Sequence, residues 1–155
     1  MKIVLVSDTH GNNEFLDWVA SQHKDADYFF HCGDSQSTSS QIFPFQSVRG
    51  NCDYFSDFPD HIKIPVEDGY IWIQHHPFNE TSILIKNNVK YFIHGHTHKR
   101  RDEMIDGIRF INPGAVSGAR DTHELSYALL MLTKNENRLL FCSGYTIKVD
   151  SNTIN

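Results

Sequence analysis

The feature that most constrains this chain is a pattern repeated five times: a short apolar or aromatic run that stops at a metal-ligating side chain. Tyr91-Phe92-Ile93-His94-Gly95 ends in His96-Thr97-His98, which presents two imidazoles one residue apart. Ile3-Val4-Leu5-Val6-Ser7 ends in Asp8-Thr9-His10, and Tyr28-Phe29-Phe30-His31-Cys32-Gly33 ends in Asp34. Gln46-Ser47-Val48-Arg49 ends in Gly50-Asn51, and Tyr70-Ile71-Trp72-Ile73-Gln74 ends in His75. Runs of this length, rich in β-branched and aromatic residues, read as strands. In open α/β sheets the carboxyl ends of the strands are where ligands collect. The pattern therefore requires an α/β chain whose strands deliver oxygen and nitrogen donors to one edge.

Turn and helix signals divide the chain accordingly. Gly11 breaks the first run, and Asn12 or Asn13 can cap a helix to about His23, with Phe15, Leu16, Val19 and Ala20 on one face. The polar Ser35–Gln41 stretch reads as a loop and is assigned no chemistry. Asp68-Gly69 and Asp106-Gly107 are hairpin signals joining 61–66 to 69–74 and 102–105 to 108–111. Between those hairpins, Asn79 or Thr81 can cap a helix through Asn87 that buries Ile83 and Leu84. Asn112-Pro113-Gly114 reads as a tight turn, and a third hairpin joins 125–132 to 138–142. Early βα alternation followed by hairpins predicts two stacked mixed sheets flanked by helices. At 155 residues, without repeats or linkers, one domain spanning 1–155 is expected, frayed from about 150.

Composition narrows the function. A net charge of −5 removes the global basic field that sequence-independent nucleic-acid binding needs. No apolar run approaches a membrane span or a signal-peptide core. Cys32, Cys52 and Cys142 are odd in number and widely spaced, which fits a reducing, cytoplasmic setting better than a disulfide framework. Histidine is the anomaly: ten in all, with His10, His31, His75, His76, His94, His96 and His98 in or beside the run ends.

Two divalent ions roughly 3.5–4 Å apart need a shared carboxylate to offset their repulsion. Asp34, the only carboxylate at its run end, is the natural bridge. Asp8 and His10 can reach one ion together, Asn51 offers a neutral oxygen, and His75, His96 and His98 supply nitrogens. Such a donor set, without thiolate, suits manganese first, with iron, zinc or nickel as alternatives. Two dications against two carboxylates leave a net positive site that a phosphate ester can neutralise, and the ions would activate a bridging water. His31 and His94 read as buried, hydrogen-bonded imidazoles outside the ligand set. Lys99, Arg100 and Arg101 can draw in a phosphate or simply form an exposed basic cluster, Asp53 can orient its local turn or cap the next segment, and Arg120 and His123, in the loop after Asn112-Pro113-Gly114, can reach substrate.

Taken in order, Asp8-Thr9-His10, Gly33-Asp34, Gly50-Asn51-Cys52-Asp53, His75 and Gly95-His96-Thr97-His98 resemble the calcineurin-like metallophosphoesterases, especially their small bacterial and archaeal phosphodiesterases. The resemblance implies a four-layer αββα sandwich. It implies one ion on Asp8, His10, Asp34 and His98, and a second on Asp34, Asn51, His75 and His96. The activity it implies is hydrolysis of a phosphate diester. A phosphomonoesterase or nucleotide phosphatase on the same site, and a non-catalytic protein-interaction scaffold of the same fold, are the alternatives. The substrate would be a small phosphate ester or nucleotide, met by Asn51, Cys52, His76 and Arg120; a homo-oligomer is compatible. Two departures stand out. Cys52 occupies the position where many members carry a histidine that protonates the leaving group, and His75-His76-Pro77 replaces His-Gly-His.

Overall fold

The computed structural model describes residues 1–118 and 125–143. In chain order the elements are β1 (Lys2–Val6), α1 (Asn13–Gln22), β2 (Tyr28–His31), β3 (Gln46–Ser47), β4 (His61–Val66), β5 (Gly69–Gln74), α2 (Thr81–Lys86), β6 (Val89–Ile93), β7 (Arg100–Ile105), β8 (Ile108–Pro113), β9 (Tyr127–Leu132) and β10 (Asn137–Cys142). They form two five-stranded mixed sheets, ordered β10-β9-β1-β2-β3 and β4-β5-β6-β8-β7. β1, β2 and β3 run parallel in the first sheet, as do β5, β6 and β8 in the second. The hairpin partners β4, β7, β9 and β10 are antiparallel and lie at or toward the edges.

Alternation along the strands builds three apolar layers. Ile3 and Leu5 of β1 face the second sheet, packing with Phe30, Ile71, Ile73 and Ile93. Val4 and Val6 face outward beneath α1, against Phe15, Leu16 and Val19. Beyond the second sheet, Leu84 of α2 covers Val89, Phe92 and Phe110. Each such side chain, fully buried, contributes about 1.5–3 kcal/mol. The inner strands of both sheets are thereby covered on both faces, and the four-layer arrangement follows.

Local sequence explains the helices. The Asn12 side chain accepts from the Phe15 N–H at 3.2 Å, and Glu14 lies in the first turn, where the helix dipole favours it. α2 is less regular. Its cap position is Glu80 and makes no side-chain bond, rather than Asn79 or Thr81. Only Leu84 is buried, whereas Ile83 is 47 % exposed, because six residues form too short a helix to turn two successive residues inward. Asn112-Pro113-Gly114 also departs from expectation. β8 runs on through Pro113, which pairs opposite Arg100, and the chain leaves the strand only at Gly114, with φ of 89°. Among the described residues, no helix is long and apolar enough to cross a membrane.

Candidate metal centre

The carboxyl ends of the parallel strands β1, β2, β3, β5 and β6 meet at one edge of the sandwich. Loops after them carry Asp8 and His10, Asp34, Asn51, His75, and His96 and His98 respectively. All seven side chains converge. His98 Nε2 lies 3.3 Å from Asp8 Oδ1, and His75 Nε2 lies 4.0 Å from the same oxygen and 3.3 Å from Asp34 Oδ2. His10 Nε2 is 4.0 Å from Asp34 Oδ2 on the other side. Asn51 Oδ1 sits between His75 Nε2 at 2.9 Å and His96 Nδ1 at 3.2 Å.

The loops reach this convergence through strained backbone. Asp8, His10, Asp34, His96 and His98 have φ of 56°, 46°, 64°, 71° and 61°. Non-glycine residues avoid this left-handed region, at a cost of order 1 kcal/mol or more each. Cross-loop hydrogen bonds impose it: Asp8 N–H to Gly33 O, His10 N–H to Asp34 O and Gly11 N–H to Ser35 O, at 2.8–3.0 Å. Two glycines are needed for close approach. A Cβ at Gly50 would collide with the Asp34 carboxylate and amide, and one at Gly95 with Ser7 Oγ and Asp8 Oδ2.

The carboxylates are each anchored by one oxygen and open at the other. Asp8 Oδ2 accepts from Ser7 Oγ–H at 2.6 Å and from the His96 N–H at 3.3 Å. Asp8 Oδ1, fully buried, has no hydrogen-bond partner among the described residues. A buried carboxylate oxygen left without a partner is costly unless a cation completes it. Asp34 is built alike: Oδ1 accepts from the Cys52 N–H at 2.7 Å while Oδ2 faces the imidazoles. Three imidazoles have their outward nitrogen engaged. His75 Nδ1–H donates to Cys32 O at 2.8 Å, His98 Nδ1–H to Gly118 O at 2.8 Å, and His10 Nδ1–H to Gln36 Oε1 at 2.7 Å. This fixes Nε2 as the inward atom, an arrangement typical of histidine ligands. His96 instead turns Nδ1 inward.

Charge follows the same logic. Burial pushes the Asp34 pKa up, but the His75 hydrogen bond and the Cys52 amide overcome it and hold the carboxyl down at about 2. Burial opposes a charge on His75, yet its bond to Asp34 and the field of Asp8 raise its pKa overall. The proton so held is the one a divalent ion would displace. The donor set, with its orphaned oxygen, fits divalent cations. Two overlapping donor groups lie within it, Asp8-His10-His98 and Asp8-Asp34-His75, and a third, His10-Asp34-Cys52, adds the Cys52 thiol, which was not expected as a ligand.

Residues 1–135 match the family model of the calcineurin-like phosphoesterase superfamily domain. The chain belongs to that family. It is 30% identical over 152 residues to the probable metallophosphoesterase YsnB of Bacillus subtilis, covering 91% of this chain and 90% of that one. A conserved predicted phosphoesterase from Streptococcus pneumoniae superposes with a TM-score of 0.80 at 24% identity, over 90% of this chain and 87% of that one. A novel archaeal phosphodiesterase superposes with a TM-score of 0.69 at 22% identity, over 92% and 100%. Membership of this metallophosphoesterase family implies divalent metals, and these side chains are candidates to hold them.

Residues around the centre behave unevenly. His31 is buried; the Gly33 N–H donates to its Nδ1 at 3.0 Å, so Nε2 carries the hydrogen toward Thr9 Oγ1, 2.9 Å away. His94 is likewise buried, between Gly95 O and an Arg101 N–H. Cys52 lies at the mouth, and His76 is exposed with its ring 4.2 Å from that of His96. Arg101 also bonds Glu103 and lies over the Phe110 ring, and Arg100 donates to Ser126, leaving Lys99 as the exposed member of the basic run. Arg120 and His123 lie outside the described residues, as does the tail expected to fray.

Three supports escaped sequence reasoning. Asp53 does more than shape its turn: its buried carboxylate accepts from the backbone N–H groups of Asp34 at 2.9 Å, Gln36 at 2.8 Å and Gly50 at 2.7 Å. Asn112 Nδ2 braces the last loop, donating to Gly95 O at 3.2 Å and Thr97 Oγ1 at 3.0 Å. Gln36, in the segment assigned no chemistry, orients His10 from a left-handed φ of 55°. The acidic residue closing Gly50-Asn51-Cys52-Asp53 was the available signal for the first; the other two had none.

Proposed function

We infer that this metallophosphoesterase is a phosphodiesterase that works with two divalent ions, manganese before iron, zinc or nickel. Asp8, His10, Asp34 and His98 would hold one ion, Asp34, Asn51, His75 and His96 the other, with Asp34 shared between them. The observation that carries this reading is the buried Asp8 Oδ1, which has no hydrogen-bond partner among the described residues while two imidazole nitrogens lie 3.3 and 4.0 Å away. When bound, the ions supply a nucleophile from water at neutral pH and stabilise charge on the phosphoryl oxygens.

The chain's own side chains have narrower tasks. Asp34, held as carboxylate, keeps its open oxygen available at every physiological pH. Asn51 turns its carbonyl oxygen to the imidazoles and its amide nitrogen outward, 3.5 Å from Cys52 Sγ, where a phosphoryl oxygen can accept from it. Cys52 stands where a proton donor to the leaving group is needed. Burial and the Asp34 carboxylate raise its pKa, so it remains a neutral thiol and a weak donor. A missing strong acid costs about 10² to 10⁴ in rate, least for leaving groups that are stable anions. The diester reading is supported by this weak donor and by the likeness in fold to an archaeal phosphodiesterase.

The test is a panel of metals against substrates on metal-stripped protein. Manganese is expected to restore the highest activity, on bis(nitrophenyl) phosphate above nitrophenyl phosphate. A faster monoester with every metal overturns the diester reading, and inactivity with every metal and substrate overturns the enzyme.

A further inference from the structure

One groove of about 440 Å³ adjoins the metal centre on the side of Cys52 and Gln36. It starts at two residues already in contact with the proposed ligands: the Cys52 amide holds Asp34, and Gln36 holds His10. It then runs between the hydroxyl-rich 37–41 segment and the 54–58 loop. Phe58 forms a buried apolar floor, while Tyr54 and Phe55 stand on the rim at 79 % and 101 % exposure. Two adjacent aromatic side chains presented to solvent beside a reactive centre gain nothing from folding, and they offer faces for stacking.

The charge of the lining limits what can occupy the groove. Among the described residues that line it, none is lysine, arginine or histidine. Asp53 is present, but its carboxylate is taken up by three backbone amides, and Asp57 is exposed at the margin. A second phosphate would find no cation there. What the groove offers is aromatic faces, serine and threonine hydroxyls, and the Gln36 amide nitrogen, for which no partner is found among the described residues. A cationic group stands in a separate groove beside His96, where Lys99 is exposed while Arg101 is engaged by His94 and Glu103. The centre is thus flanked by an uncharged, stacking, hydrogen-bonding arm and a basic one.

Building on the phosphodiesterase reading, we propose that the groove binds a nucleoside, so that the substrate is a phosphate diester with one nucleoside arm: its base stacks on Tyr54 and Phe55, and its sugar lies over Gln36 and Cys52. Base–aromatic stacking tolerates any base, since each has a π face, and one stacked base changes binding by about tenfold or more.

Two diesters with the same leaving group isolate this arm: the nitrophenyl ester of thymidine monophosphate and methyl nitrophenyl phosphate. On manganese-loaded protein the thymidine ester should have kcat/KM about tenfold higher or more. The double variant Tyr54→Ala/Phe55→Ala should bring the ratio close to one, while Phe43→Ala, an exposed aromatic outside the groove, should keep it. A ratio near one in the wild type, or a preference that survives the double variant, overturns the inference. Calorimetric binding of thymidine monophosphate against methyl phosphate reads the groove independently of turnover. An affinity advantage of about tenfold, lost in the double variant, supports the proposal even if neither ester is hydrolysed; equal affinities refute it. Inactivity on both esters counts against the phosphodiesterase reading alone.

Discussion

The two buried histidines outside the ligand set make the stability of the metal-free protein depend on pH in a calculable way. His31 is wholly enclosed, and its burial, with the nearby His75, lowers its pKa to about 3. Its bonding explains why. A backbone N–H donates to Nδ1, so a proton there would abolish a bond and set two donors face to face. In the unfolded chain the same imidazole titrates near 6.5. Below that value the unfolded state binds a proton that the folded state refuses, so stability falls as pH falls, by up to about 1.4 kcal/mol per pH unit. Between pH 7 and pH 5 the loss from this one residue comes to about 2 kcal/mol, and it is insensitive to the folded value so long as that lies well below 5. The perturbation is His31→Asn, whose side-chain oxygen can still accept from Gly33. The variant is expected to be less stable at pH 7, yet to lose about 2 kcal/mol less than wild type on going to pH 5. Urea unfolding of the metal-stripped proteins at the two pH values measures this difference. Equal pH dependence in wild type and variant would refute the reasoning, because it would mean that folded His31 takes up the proton.

Two further predictions rest on named contacts. Asp53→Ala strands two buried backbone N–H groups, of Asp34 and Gly50, each worth about 1–3 kcal/mol, and the part-buried one of Gln36, and should destabilise the fold by several kcal/mol, with Asp53→Asn intermediate, as read from urea midpoints. Rates of wild-type protein on a leaving-group series should fall steeply as leaving-group pKa rises; Cys52→His should flatten that dependence and help poor leaving groups most, whereas Cys52→Ala should change little, and a large loss in Cys52→Ala on alkyl diesters at unchanged metal content would make Cys52 a catalytic participant.

Much of the candidate centre was legible because each donor sits at the end of a run whose composition alone announces a strand. Asp8, His10, Asp34, Asn51, His75, His96 and His98 were identified this way, and they meet because their strands are parallel and end at one edge. The supports were less legible, since they bridge residues far apart in sequence. Asn112 acts on a loop fifteen to seventeen residues earlier, and Asp53 on Asp34 nineteen residues back. Nothing in the polar 35–41 stretch marks Gln36 as the partner of His10. Ile83 failed for a different reason: helical periodicity predicts burial only where a helix is long enough to keep one face on the sheet, and α2 is not. Arg100 and Arg101 looked like a free basic cluster, but the β7 pairing turns both onto aromatic rings and polar groups of their own fold.

Whether Asp34 joins two ions is the centre of the account, and metal content after reconstitution tests it most directly. Elemental analysis of manganese-reconstituted protein should give about two ions per chain. Asp34→Asn should lose metal and activity more completely than Asn51→Ala, which removes a donor to one ion only. Fewer than one ion per chain in the wild type with no gain in thermal stability, or an Asp34→Asn protein with metal content and activity near wild type, would contradict the account.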